Sequence, residues 1–179
     1  RTLLWLVAGV LLGLVIHIGV VLALPSLASR DVWTRLADTI QPGAMTVLPA
    51  PHADEANPLR LDPEIAYGVC RMNLTTAPGA LTGVLPDAFW SLAVYDRSGA
   101  AIYSTTNRDG IGRVIDIGVF NPAQTRLLSR QQVDVAEGLL IVESPGDDVI
   151  VVVRLAPPHA VMRARFEAAL AALSCGALG

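Results

Sequence analysis

The sequence predicts one N-terminal transmembrane helix followed by a small β-rich (α+β) extramembrane domain, a twisted sheet or sandwich with a C-terminal helix. Three observations predict it. Leu3 to Leu24 holds no Asp, Glu, Lys or Arg. Beyond residue 64, short runs rich in Val, Ile and Tyr alternate with Gly, Pro and Asp turns, the pattern of strands. The final apolar pattern, over residues 158–173, has helical spacing. The expected divisions are a transmembrane anchor at 1–28, a short amphipathic helix and Pro-rich linker at 29–63, and a β-rich periplasmic domain at 64–179.

Composition narrows the chemistry. All thirteen basic side chains of the 179 residues are Arg, and the net charge is -3. The absence of Lys excludes Schiff-base catalysis, a P-loop and a Ser-Lys mechanism, each of which needs an amine. An acidic balance without a basic cluster argues against nucleic-acid binding, which relies on neutralising phosphates. Arg in place of Lys, with abundant Ala, Leu, Val and Gly, suggests a GC-rich bacterial genome. Much of the apolar excess, 53% of residues, sits in the first 24 positions.

At about 1.5 Å per residue, Leu3–Leu24 spans roughly 30 Å, the thickness of a bilayer core. Trp5 suits one interface, and Pro25 is expected to end the helix. A cleaved signal peptide is the alternative, with Ser26-Leu27-Ala28 as its processing site. The run exceeds the usual apolar signal region of about 7–15 residues, which favours a retained anchor. Arg1 precedes the span and Arg30 and Arg35 follow it, so local charge leaves orientation open.

Gly9, Gly13 and His17 fall at i, i+4 and i+8 on one helical face. Glycines there allow a second helix to approach, and an intramembrane imidazole bonds a partner helix or a carbonyl. The functional alternative is a pigment contact at His17; no other cofactor is expected. The partners expected are therefore the membrane and other integral membrane proteins.

Ser29 is placed to cap a helix over residues 30–40, with Val32, Trp33, Leu36 and Ile40 as its apolar stripe. Such a helix lies on the membrane surface or docks on the domain; the stripe fits both. Residues 41–63 carry Pro42, Pro49, Pro51, Pro58 and Pro63 and read as an extended, irregular connection with His52 exposed in it.

Strands are expected at Ile65–Asn73, Phe89–Tyr95, Ala101–Thr105, Val114–Phe120, Leu139–Glu143 and Val149–Leu155. Asp96-Arg97-Ser98-Gly99 makes the second and third a hairpin. Gly118 interrupts the fourth. Ser144-Pro145-Gly146-Asp147 suits a type II turn between the last two. Val149–Val153 is apolar without alternation, the mark of a strand covered on both faces. The last helix, from about Pro158 to Leu173, presents Met162, Phe166, Ala169, Leu170 and Leu173 on one face. Arg163 and Glu167 pair at i, i+4 on its solvated side.

Cys70 and Cys175 can pair in an oxidising periplasm and tie the C-terminus to the sheet; the alternative is two separate buried thiols. No G-x-S-x-G, H-E-x-x-H or complete G-x-G-x-x-G occurs; Gly110-Ile111-Gly112 lacks its third glycine. No C-x-x-C or His cluster suggests a metal. Asn73-Leu74-Thr75 matches a glycosylation sequon, discounted on the bacterial composition.

Tyr67-Gly68-Val69-Cys70-Arg71, Phe89-Trp90-Ser91-Leu92-Ala93-Val94-Tyr95-Asp96-Arg97 and Ile102-Tyr103-Ser104-Thr105-Thr106-Asn107-Arg108 together resemble a bacterial family. It is known only as a domain of unknown function, DUF twelve-fifty-four, and the resemblance covers roughly residues 60–155. It implies an envelope location and a β-rich fold, and carries no activity. Larger members of that family have a second β-domain.

The first expectation for function is a non-enzymatic accessory or scaffolding subunit of a larger inner-membrane complex, respiratory or photosynthetic. The second is a tethered periplasmic module that binds a small ligand through Phe89, Trp90, Tyr95 and Tyr103 with Arg71 or Arg108. An enzyme would need His159 and an acid to converge in one cleft.

Overall fold

The computed structural model describes residues 1–27, 32–109, 112–131 and 138–178. Ala28, Ser29 and Arg30, invoked above for processing, capping and orientation, lie outside them, as do Gly110 and Ile111. In chain order the elements are α1 (Thr2–Leu27), α2 (Val32–Thr39), β1 (Met45–Leu48), β2 (Ala66–Asn73), β3 (Gly79–Val84), β4 (Trp90–Asp96) and β5 (Ala101–Thr106). They continue with β6 (Val114–Phe120), α3 (Pro122–Gln131), β7 (Leu140–Glu143), β8 (Asp148–Leu155), a 3-10 turn (Ala160–Met162), α4 (Arg163–Ala171) and β9 (Ser174–Ala177).

The apolar N-terminal helix and the β-rich domain with a C-terminal helix are both present. Thr2–Leu24 is a 23-residue stretch long and apolar enough to cross a membrane, and none of it is buried against the domain. Pro25 does not end α1, which runs to Leu27. A proline removes one backbone donor. Here the donor lost is the one that would bond Val21 O, a single bond, and the helix continues only two residues beyond the proline.

The domain is a two-sheet sandwich. One sheet has the order β1-β2-β8-β4-β5 and is antiparallel throughout. The other has the order β7-β6-β3-β9, with β6 and β7 parallel. Between them lies the main core, including Met72, Leu74, Leu81, Trp90, Leu92, Ile117, Val151 and Val153. Helix α4 closes this core beneath β2. Gly68 makes that approach possible: a Cβ there would stand 3.0 Å from Leu170 Cδ2 and 3.1 Å from Met45 Sδ. Cys70 on β2 and Cys175 on β9 are bonded, Cα to Cα 6.3 Å, so the disulfide joins one sheet to the other.

The predicted hairpin forms between β4 and β5. Asp96 Oδ1 accepts from the Ser98 and Ala100 amides and the Ser98 hydroxyl, while Gly99 supplies φ +82. These bonds hold Asp96 below the ordinary carboxyl value of 3.8. The Ser98 hydroxyl contributes most, desolvation opposes it, and the Ala100, Ser98 and Gly99 amides add to it. A group depressed on folding stabilises above its unfolded value and loses that contribution as pH falls through its folded one. The Ser98 and Ala100 amides should therefore lose hydrogen-exchange protection in strong acid, below 3.8. NMR exchange rates that follow intrinsic acid chemistry from about pH 5 to about pH 2 would refute this.

Elsewhere the structure corrects the sequence reading. Residues 41–63 are not wholly irregular, because Met45–Leu48 pairs with β2. Gly79–Val84, Pro122–Gln131 and Ser174–Ala177 also form elements that periodicity did not reveal. Gly118 does not interrupt β6; it is buried under the Phe120 ring, where a Cβ would lie 2.7 Å from Cε2. The Pro145-Gly146 segment is not a type II turn, since Gly146 lacks the positive φ that type requires. It is a corner between sheets. Ser144, wholly buried, donates its hydroxyl to Gly146 O and its amide to Phe120 O.

Candidate functional site

Sequence patterning left two unmatched surfaces: the stripe on residues 30–40 and the second face of Val149–Val153. The structure puts them together. Ile150 and Val152 point away from the main core with Leu48 and Val69, and Trp33 and Leu36 of α2, with Ile40 just past its end, pack onto them. Their spacing of three and four residues sets all three on one helical face. The helix thus docks on the domain. Val32, the fourth stripe residue, is 59% exposed.

This second layer covers the sheet incompletely. A cavity of about 630 Å³ remains between α2, the outer face of the five-stranded sheet and the 59–65 loop. Volumes of about 300–1,000 Å³ are usual for small-ligand sites. The floor is Leu48, Val69, Ile150 and Val152, and Leu59, Leu61 and Ile65 form a side wall. Tyr67, Tyr95, Arg60, Asp62 and Arg154 supply polarity, and Trp33 and Gly99 complete the lining with α2.

The side wall is held from several directions. Asn57 Nδ2 donates to Leu61 O and Asn57 Oδ1 accepts from the Leu61 amide, each at 2.8 Å. The Asp62 amide donates to the Tyr67 hydroxyl at 3.1 Å. Arg35 on α2 donates to Pro58 O at 3.1 Å. From the far side, Arg163 donates to Pro63 O at 2.7 Å and Ile65 O at 3.0 Å while also bonding Glu167 Oε1 at 2.9 Å. The Arg163–Glu167 pair is consequently more than a solvated-face feature; it clamps the loop that walls the cavity.

At the rim, Arg97 stacks over the Trp33 ring at 5.4 Å from its centroid. Its position comes from the Asp96 turn. Arg154 Nη2 donates to the Tyr95 hydroxyl at 3.1 Å. Arg154 pairs in register with Tyr67, whereas Tyr95 pairs with Ile150. Arg154 and Tyr95 therefore lean toward each other along the sheet, across the face that lines the cavity.

The residues singled out for ligand contact are not brought together. Tyr95 alone of the six lines the cavity. Trp90 is buried between the sheets, and Tyr103 packs at the edge of that same core. Phe89 is 48% exposed. Arg71 lies on the outer face but bridges Asp148 at 3.6 Å, and Arg108 is exposed in the turn after β5. That turn is organised by Asp109, whose Oδ2 accepts from the Thr106 amide at 2.6 Å. The Thr106 amide first, then the Thr106 and Thr105 hydroxyls, hold Asp109 below the ordinary carboxyl value.

Gly9, Gly13 and His17 sit on exposed α1, and a Cβ at either glycine would meet nothing within 4 Å. His52 and His159 are exposed. Among the described residues no three His, Cys, Asp or Glu side chains cluster as a metal site would require.

Sequence reading missed Tyr67, Arg60, Asp62 and Arg154 as lining residues. The signal for Arg154 was present: it continues the Ile150, Val152 alternation of a strand already read as covered on its outer face.

No protein-family model matches the chain, and no curated protein matches it. Its fold is similar to the crystal structure of the VPA0106 protein from Vibrio parahaemolyticus. The TM-score is 0.58 at 10% identity, over 81% of this chain and 32% of that one. The chain thus spans about a third of that protein's length. At this identity the likeness concerns the fold alone.

Proposed function

We propose that this chain is a membrane-tethered module that binds a small, largely apolar ligand in the cavity between α2 and the five-stranded sheet. The observation that carries the reading is the cavity itself: an apolar floor and wall with a few convergent polar groups, the usual composition of a small-molecule site. On this reading α1 is a bilayer anchor, the domain lies in the bacterial periplasm, where the Cys70–Cys175 bond persists, and the fold belongs with the DUF twelve-fifty-four family. The exposed length of α1 supports the anchor: a 23-residue, predominantly apolar stretch with none of it buried needs lipid or protein around it.

The test is native mass spectrometry of the full chain released from membranes in mild detergent. A small-molecule adduct should be present on the wild type. It should be absent from Val152→Trp, which fills the floor of the cavity. An adduct that survives Val152→Trp in a folded protein would place the ligand elsewhere and end this reading.

A second reading follows from α1 alone. Its face of Gly9, Gly13 and His17 is open to a neighbouring helix, which suits an accessory subunit of an inner-membrane complex. Co-purification of integral membrane proteins, lost on Gly9→Leu with Gly13→Leu, is the expected outcome. A wild-type chain that runs alone in mild detergent would contradict it.

A further inference from the structure

The polar part of the cavity is predominantly cationic. Arg60 and Arg154 both line it. Among the described residues the ion pairs are Arg71–Asp148 and Arg163–Glu167, so neither lining arginine has a carboxylate within 4.0 Å. Arg154 is bonded to the Tyr95 hydroxyl, which occupies one of five guanidinium donors. Arg163, outside the cavity, shows the opposite state, bonded to one carboxylate oxygen and two carbonyls. Asp62 is the acid in the lining, and its Oδ1 already accepts from the Glu64 amide. Two guanidinium groups against one carboxylate leave a net positive wall.

Two further features shape what would fit. Ile150, Val152 and Arg154 follow one another on the same face of β8, so the charged residue stands about 13 Å along the strand from the first of two apolar ones. The Tyr95 hydroxyl holds the guanidinium on that face. Trp33 lines the same cavity, and Arg97, 5.4 Å over its ring, puts a third guanidinium at the rim. An occupant with an apolar body and an acceptor-rich head would satisfy both the floor and the remaining guanidinium donors of Arg154. A neutral apolar molecule would displace water from the Arg154 guanidinium without replacing its acceptors, and desolvating an unpaired charge carries a cost.

We infer that the ligand is an anionic amphiphile, a long-chain carboxylate whose tail lies on the Val69, Ile150 and Val152 floor and whose head accepts from Arg154. This rests on the cavity being the binding site. Tyr95 positions the arginine, and Arg60 adds charge at the loop.

The test uses the full chain in lipid nanodiscs with two photoreactive probes, a long-chain fatty acid carrying a mid-chain diazirine and the matching alcohol. Cross-linked peptides are mapped by mass spectrometry. Labelling of α1 reports that each probe has entered the bilayer around the protein. The acid should label peptides from α2 and the 59–65 wall several-fold more than the alcohol does. Arg154→Gln should reduce acid labelling to the level of the alcohol, and Arg154→Lys, which keeps the charge, should retain most of it. Far-UV circular dichroism checks that both variants are folded; if Arg154→Gln is not, the acid-to-alcohol ratio on the wild type decides alone. Equal cavity labelling by acid and alcohol overturns the anionic head and leaves the binding site standing. Labelling confined to α1 with both probes overturns the binding site itself.

Discussion

Removing the bond between Cys70 and Cys175 is expected to cost the domain about 4–5 kcal/mol. The two residues are 105 positions apart, and closing a loop of that length removes this much freedom from the unfolded chain in the entropic account. A whole domain is stable by about 5–15 kcal/mol, so the loss is a large fraction of the total. The architecture adds a local reason. Strand β9 is four residues long, lies at the edge of its sheet and pairs with β3 alone. Without the sulfur link to β2 it is held by four register pairs and the packing of Leu173 beside it. Denaturant unfolding of the full chain in detergent, oxidised against reduced, measures the difference without any substitution. The Cys70→Ala, Cys175→Ala variant should match the reduced protein, with a further small loss for the sulfur removed from the core at Cys70. Coincident midpoints for the oxidised and reduced chains would show that the bond contributes nothing.

Truncating Phe166 to Ala should destabilise the domain by about 3–5 kcal/mol, the usual range for a buried Phe in a core that cannot collapse around the space. Phe166 is 2% exposed and Leu170, one turn later, is fully buried. Helix α4 has nine residues, too few to be stable alone in water. Its helicity is a consequence of this packing, and so is its fit against Gly68. Loss of Phe166 should therefore weaken the α4 contact and, through Arg163, the hold on Pro63 and Ile65 at the cavity wall. Val161→Ala is the control. Val161 is 91% exposed in the turn before α4, and such a surface change should stay within about 0.5 kcal/mol. Thermal unfolding of both variants reads the contrast, and a Phe166→Ala protein as stable as the control would contradict the assigned core.

Several parts of the fold were legible because their physics is local. An uncharged run from Leu3 to Leu24 can only be a long apolar helix. Asp96 and Gly99 specify a hairpin through a side-chain acceptor and a positive φ, both properties of four consecutive residues. Val149–Val153 is apolar at every position and is buried at every position, on both faces. Other parts were hidden for equally local reasons. Gly79–Val84 contains two glycines and no sustained alternation, and it becomes a strand because β6 and β9 flank it. Met45–Leu48 is too short to stand out from its Pro-rich surroundings. Periodicity could show that the 30–40 stripe and the outer face of β8 each needed covering, without showing that they cover each other.

Arg154 and Tyr95 mark the same division. They are 59 positions apart, and their hydrogen bond depends on β4 lying beside β8. By itself the sequence determined the apolar helix, the hairpin, the doubly covered strand and the amphipathic stretch, since each follows from side chains within a few residues. Only the tertiary structure decided that β7 and β8 part into different sheets at Ser144, that α2 folds back on the outer face, and that a cavity lined by Arg60, Tyr67 and Arg154 remains there. Strand partnership and enclosed space are set by contacts distant in sequence, which neither turn chemistry nor periodicity encodes.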